Sequence, residues 1–240
     1  MRALWFPLAL LLLAPGAVDG VRFEGWGRHE LGIQDRKPVY LDRAALLALP
    51  VPPPPANSAA ETRAELDELL RLQATRTRAQ EQAIQKHRAY PGVLAALMEV
   101  VQRDLDDAPR TRALLERIDH DALIAVFHAK KRFDRARPHQ LEPRIKPSIP
   151  VPAHAAYPSG HAMQGWLAAR VLALVFPGFE KDLRALGAEI GRERERAGLH
   201  YPSDSAASRA LADQIFARLQ DSPAFKRDLA AARGEWVCRQ

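Results

Sequence analysis

Cysteine is all but missing: Cys238 is the only one in 240 residues. No disulfide can close within the chain, so packing alone must hold the fold. Strand signals are lacking as well. No stretch alternates apolar and polar residues with a period of two, and no internal repeat appears. The few aromatic residues do not interleave with the basic ones, which leaves no stacking surface for nucleic acid, and none is expected as a partner. No H-x-x-E-H helix and no Asp-rich cluster offers ligands to a metal. Beyond the first twenty residues, no apolar run is long enough to cross a bilayer.

Basic charge is in surplus, with 35 Lys+Arg against 29 Asp+Glu. That suits an anionic partner, and it equally suits a plain solvated surface. The first twenty residues, MRALWFPLALLLLAPGAVDG, read as a secretory signal: Arg2 leads, Leu4 to Leu13 form a compact apolar stretch, and small residues follow. The expected cut lies between Gly20 and Val21, with Ala14–Gly16 as the weaker site, and an uncleaved anchor is the alternative. The protein is thus expected to be periplasmic or secreted. Residues 21–58 are expected to form an extended arm, because prolines 52–55 fix φ and supply no N–H. A helical domain is expected over 59–235, with a tail at 236–240.

Helices are expected at 59–88, capped by Ser58 with Glu61, at 94–105, and from Leu114 through Phe133 to a stop at Pro138. Further helices are expected at 160–176, 180–197, 205–220 and 223–234. The fold class is therefore all-α: a single-domain helical bundle.

Three clusters could carry chemistry. In KKRFDRARP, Lys130 and Arg137 are seven residues apart and on one face of an unbroken helix, where they could clamp an anion. A solvated basic helix would look the same, and Lys131, Arg132 and Arg135 are read as surface. In Pro158-Ser159-Gly160-His161, Gly160 allows close backbone approach, and the first amides of the following helix make an anion site with Ser159 and His161 beside it. Plain N-capping by Ser159 is the simpler reading. In GRERERAGLHYPSD, Asp204 lies four residues after His200 and could fix its tautomer, with Arg194 six residues before it. A helix cap and a loop histidine would fit equally.

Taken in order, K-x6-R-P, P-S-G-H and R-x5-H-x3-D resemble the three-part signature of the type 2 phosphatidic acid phosphatase (PAP2) superfamily, which includes the vanadium haloperoxidases. The proline-rich lead-in at 49–69 and the segment 216–235 are similar to the bacterial class A non-specific acid phosphatases. The resemblance covers roughly residues 46–235 and leaves 21–45 unplaced. It implies that Lys130, Arg137, Ser159, Gly160 and Arg194 bind the phosphoryl oxygens. It implies His200 as nucleophile, oriented by Asp204, and His161 as the acid that protonates the leaving alcohol. An exported, metal-independent acid phosphatase for soluble phosphomonoesters follows, with a phosphohistidine intermediate, phosphotransfer to alcohols, and inhibition by phosphate or vanadate. A homo-oligomer is suggested by the same relatives.

Two departures stand out. Glu193 occupies the place where the family usually has Ser, and it is expected to face away from the phosphate and pair with Arg196 or a neighbouring basic residue. The 139–157 loop is shorter and richer in proline than the class suggests, which bears on substrate range. The rival readings are a vanadate-dependent haloperoxidase-like enzyme, a lipid phosphatase, whose relatives carry several membrane spans, and a non-catalytic anion-binding protein.

Overall fold

A computed structural model of the chain describes residues 18–89 and 91–237. The apolar leader up to residue 17 and Cys238 lie outside the described residues. The described residues form an all-α fold. The β-type pairing among them is an isolated bridge between Arg22 and Arg135. The longer helices are α1 (Ala60–Ala74), α2 (Arg78–Lys86), α3 (Gly92–Val100), α4 (Pro109–Phe133), α5 (Gly160–Val175), α6 (Glu180–Arg196), α7 (Pro202–Leu219) and α8 (Pro223–Val237).

Four boundaries depart from expectation, each for a local reason. The segment 59–88 is two helices, because Thr77 and Gln80 form a reciprocal capping box that opens α2. The expected box at Ser58 is absent: the Ser58 hydroxyl donates to Asp19 instead, and Ala59 is the N-cap of α1. α4 stops at Phe133, not Pro138, because Asp134 turns into the left-handed region at φ 47° and its N–H closes on the Lys130 carbonyl at 2.9 Å. Lys130 and Arg137 therefore do not share a helix face. Pro138 opens a short turn of its own over Pro138–Leu141. α7 begins at Pro202, which its missing N–H permits at a first helical position, so Asp204 sits inside the first turn.

α5 is the central element. It is buried on several sides, as its nearly continuous apolar sequence requires, and α4, α6 and α7 pack around it. The antiparallel pair α5 and α6 approaches closely through glycines. A Cβ on Gly187 would lie 2.8 Å from the Ala169 Cβ and 2.8 Å from the Gly165 carbonyl oxygen. This close contact brings the start of α5 beside the end of α6. The start of α7 lies there as well, its Asp204 carbonyl accepting the Ser159 N–H at 3.2 Å.

The arm is not simply extended. It carries short helical turns at Arg28–Leu31, Ile33–Asp35 and Arg43–Leu47. Ile33, Tyr40, Leu46 and Leu49 enter the same core as the long helices. Asp121 on α4 ties the arm down. Its fully buried carboxylate accepts the backbone N–H groups of Val39 at 2.6 Å, Tyr40 at 2.8 Å and Leu41 at 3.0 Å. A charged acceptor satisfies three donors that would otherwise be orphaned. Asp121→Ala is expected to lower unfolding free energy by about 2–4 kcal/mol in denaturant titrations. A midpoint equal to wild type would show that the arm is held elsewhere.

Candidate active site

Four helix ends and one loop meet at the site, and each presents its residue for a local reason. The left-handed Asp134 sends the chain from α4 into an extended segment. Arg135 and Arg137 lie two apart along it, and both side chains run inward toward α7, as period-two geometry allows. α6 ends in a Schellman turn: Gly198 N–H donates to the Glu195 carbonyl and Leu199 N–H to the Arg194 carbonyl, with Gly198 at φ 73°. That turn carries His200 back over the end of α6. Ser159 is the N-cap of α5, accepting the Ala162 N–H at 3.4 Å, so the capping reading of this motif holds.

His200 and Asp204 form a buried pair. His200 Nδ1 lies 3.0 Å from Asp204 Oδ2, and Arg137 Nη1 lies 3.0 Å from His200 Nε2. A guanidinium can only donate, so Nε2 accepts and Nδ1 carries the proton it donates to Asp204. Arg137 also donates to the Leu199 carbonyl at 2.9 Å and to the His154 carbonyl at 2.8 Å. Burial pushes its pKa down to about 10. Lys130 is fully buried, with Nζ donating to the carbonyls of Ala155 at 2.7 Å and Ala156 at 3.1 Å. Burial, aided by Arg137, pushes its pKa well below the usual lysine value.

A cavity of about 460 Å³ opens above this pair. Gly160, His161, Arg194 and His200 line one end of it. Ile33, Leu123, Phe127 and Ile149 give it apolar wall. Where Gly160 would carry a Cβ there is open space, room for an atom of a ligand. Arg194 is buried, and its Nε and Nη1 have no hydrogen-bond partner, while Nη2 donates to the Ile84 carbonyl and to Glu193. Orphaned cationic donors at a cavity wall call for an anionic acceptor. His161 holds the Arg88 carbonyl within 3.1 Å of its Nε2. Burial, with Arg194 next, pushes its pKa down to about 3. Burial, with Arg137 and Lys130 next, likewise lowers His200 well below the usual histidine value.

Of the eight residues singled out in the sequence, Gly160, His161, Arg194 and His200 line the cavity. Arg137 and Asp204 stand directly behind His200. Ser159 caps the helix whose start faces the cavity, and Lys130 lies behind the 154–157 loop without reaching the wall. Arg135, read as surface, is buried and bonded to Asp204 at 2.7 Å. The signal was available, since an extended segment after a helix end places Arg135 and Arg137 alike. His154 was also missed. Its ring lines the cavity, with Nδ1 3.0 Å from Arg137 Nη2, and its pKa is lowered by burial and by Lys130. Glu193 does not pair with Arg196, which Glu189 engages instead. It is buried, 2.8 Å from His87 Nδ1 and 3.2 Å from Arg194. Among the described residues, no group of three or more His, Cys, Asp or Glu is placed to hold a metal ion, and no helix is long and apolar enough to cross a membrane.

The fold class is that of the vanadium haloperoxidases. A bacterial vanadium-dependent iodoperoxidase superposes with a TM-score of 0.65 at 19% identity, over 80% of this chain and 56% of that one. A holo-type bacterial vanadium-dependent chloroperoxidase gives 0.66 at 14%, over 83% and 55%. The segment 121–216 matches the model of the PAP2 superfamily. It is similar to a non-specific acid phosphatase of Providencia stuartii, 32% identical over 136 residues, or 55% of each chain. It is also similar to one of Salmonella typhimurium, 35% identical over 134 residues, or 54% of each. The matched stretch thus spans about half the length of these relatives.

Two outcomes are expected. His154, His161 and His200 all have lowered pKa values, so the folded state stays unprotonated where the unfolded chain takes up protons. Their contribution to stability is complete above about pH 6.5 and is lost as pH falls below it. Melting temperatures recorded from pH 8 to pH 5 should fall on the acid side; a flat profile would contradict the neutral buried histidines. Glu193→Ser removes the carboxylate beside Arg194, so a tetrahedral oxyanion should bind on the order of tenfold more tightly by inhibition assay, with a lower melting temperature. Unchanged affinity would place Glu193 outside the field of the site.

Proposed function

We propose that the protein is an acid phosphatase that hydrolyses soluble phosphomonoesters through a phosphohistidine on His200. The observation that carries this reading is the orientation of His200. Nδ1–H is spent on Asp204, and Nε2, on the ring that lines the cavity, keeps a lone pair and accepts from the Arg137 guanidinium behind it. The fixed tautomer leaves Nε2 as the nucleophilic atom.

In this reading Lys130, Arg137, Arg194, the Ser159 hydroxyl and the Gly160 amide hold the phosphoryl oxygens. The two unpartnered nitrogens of Arg194 gain acceptors, and the start of α5 adds the positive end of its dipole. Nε2 attacks phosphorus as the bond to the leaving oxygen breaks, and His161 gives its proton to that oxygen. The phosphate's negative charge restores the proton affinity of His161 that burial and Arg194 suppress. Water then attacks the phosphohistidine, returning a proton to His161, while the P–N bond breaks and phosphate leaves. An alcohol in place of water would give phosphotransfer. The lowered pKa of His200 keeps the nucleophile unprotonated in acid. The cations already present neutralise the transferred group, so no metal is assigned to the step. The leader at 1–20 supports export to the periplasm or medium.

The vanadium dependence of the fold neighbours favours a second reading. Vanadate has the charge and shape of phosphate, and the open space at Gly160 with the free donors of Arg194 fits it. The same residues would hold it, whether as inhibitor or as the cofactor of halide oxidation.

The test is hydrolysis of p-nitrophenyl phosphate with excess chelator, by wild type and His200→Ala. We expect a metal-independent wild type and a loss of about 10⁴-fold or more in the variant. An inactive wild type, or a fully active variant, would overturn the reading. Halide oxidation on adding vanadate, with no phosphatase activity, would establish the second.

A further inference from the structure

Asp204 is held at both ends, and only one end belongs to the three motifs. Oδ2 faces His200 and also accepts the Tyr201 N–H at 3.0 Å. Oδ1 faces Arg135 Nη1 at 2.7 Å. The same Nη1 donates to the Ser203 hydroxyl at 2.7 Å, and Nη2 reaches Glu65 Oε2 at 3.1 Å. Glu65, from α1, accepts the Ser203 N–H and the Ser203 hydroxyl. The guanidinium carbon lies 3.7 Å from the centre of the Tyr201 ring. Arg135 is thus fixed over one face and through three of its polar contacts, on a backbone pinned by the bridge to Arg22 and by the Ala156 N–H donating to its carbonyl at 3.0 Å.

Resting on the phosphohistidine reading above, we propose that Arg135 is a positioning residue for the reaction. Its guanidinium anchors Asp204 Oδ1 so that Oδ2 alone meets His200, while Arg137, two residues on, meets the other ring nitrogen. The tripeptide Arg135-Ala136-Arg137 brackets the pair from both ends. Without Arg135 the carboxylate is held at Oδ2 alone, by the Tyr201 N–H and His200, its Oδ1 loses its cation, and Ser203 and Glu65 lose the group that ties them to it. The imidazole then loses the fixed acceptor that sets its tautomer and aim. Substrate binding, carried in that reading at the cavity wall by Arg194 and the start of α5, does not pass through Arg135.

The effect therefore falls on kcat and spares KM. Arg135→Met should lower kcat for p-nitrophenyl phosphate by about 10- to 100-fold, with KM changed less than about threefold. Arg135→Lys keeps the charge but not the fork, and should recover part of the loss. If Arg135→Met does not accumulate as folded protein, Arg135→Lys decides: kcat reduced with KM unchanged supports the proposal, and wild-type kcat overturns it. Wild-type kcat in both variants, or a loss that appears in KM alone, likewise overturns it. His200→Ala run in parallel separates the two levels. An active His200→Ala defeats the phosphohistidine reading itself. An inactive His200→Ala beside fully active Arg135 variants defeats only this inference.

Discussion

The site is governed by an imbalance of buried charge. Lys130, Arg135, Arg137 and Arg194 are all withdrawn from water, and the buried carboxylates among them are Asp204 and Glu193, with Glu65 close by. Burying a cation without a partner is among the costliest things a fold can do. The chain meets part of that cost with backbone carbonyls: those of Ala155 and Ala156 for Lys130, of His154 and Leu199 for Arg137, and of Ile84 for Arg194. What stays unmet is concentrated on Arg194, at the cavity wall. An anion of several oxygens is the natural complement. Burial first, and the neighbouring cations after it, push the pKa values of His154, His161 and His200 down, so the setting that favours an anion also favours neutral imidazoles.

The helical frame turns this arrangement into a place. α5 and α6 touch backbone to backbone at Gly165 and Gly187, which brings the amide end of one helix beside the terminal arginine of the other. α7 starts at the same level, and its first turn supplies Asp204. The arm adds apolar wall through Ile33, and its attachment to Asp121 makes that wall part of the fold. Residues left unplaced by motif reasoning thus border the cavity.

The sequence disclosed the helices and the three motifs because both depend on local rules: apolar periodicity for α4 to α7, and the fixed order of Lys130, Arg137, Ser159, Gly160, His161, Arg194, His200 and Asp204. It misled where a single residue changed the local conformation. Asp134 at positive φ ends α4 a turn before Pro138, which moves Arg137 off the helix and carries Arg135 inward. Thr77 splits the first helical stretch. Partners far apart in sequence were not legible at all: His87 with Glu193, Glu65 with Arg135, and Asp121 with the amides of the arm are made only by the tertiary packing.

The turn after α6 gives the third motif its spacing. From Arg194 the chain completes the helix, reverses at Gly198, and returns Leu199 N–H to the Arg194 carbonyl itself. Arg194, with its unpartnered nitrogens, and the segment that bears His200 are thereby joined by one hydrogen-bonded ring. The interval between Arg194 and His200 is a length set by that ring, a ruler built of main chain. Gly198 is the fixed point of that ruler, since its φ of 73° and the nearby Ile145 leave no room for a Cβ, and a residue added or removed would open the ring and lift His200 away from Arg137.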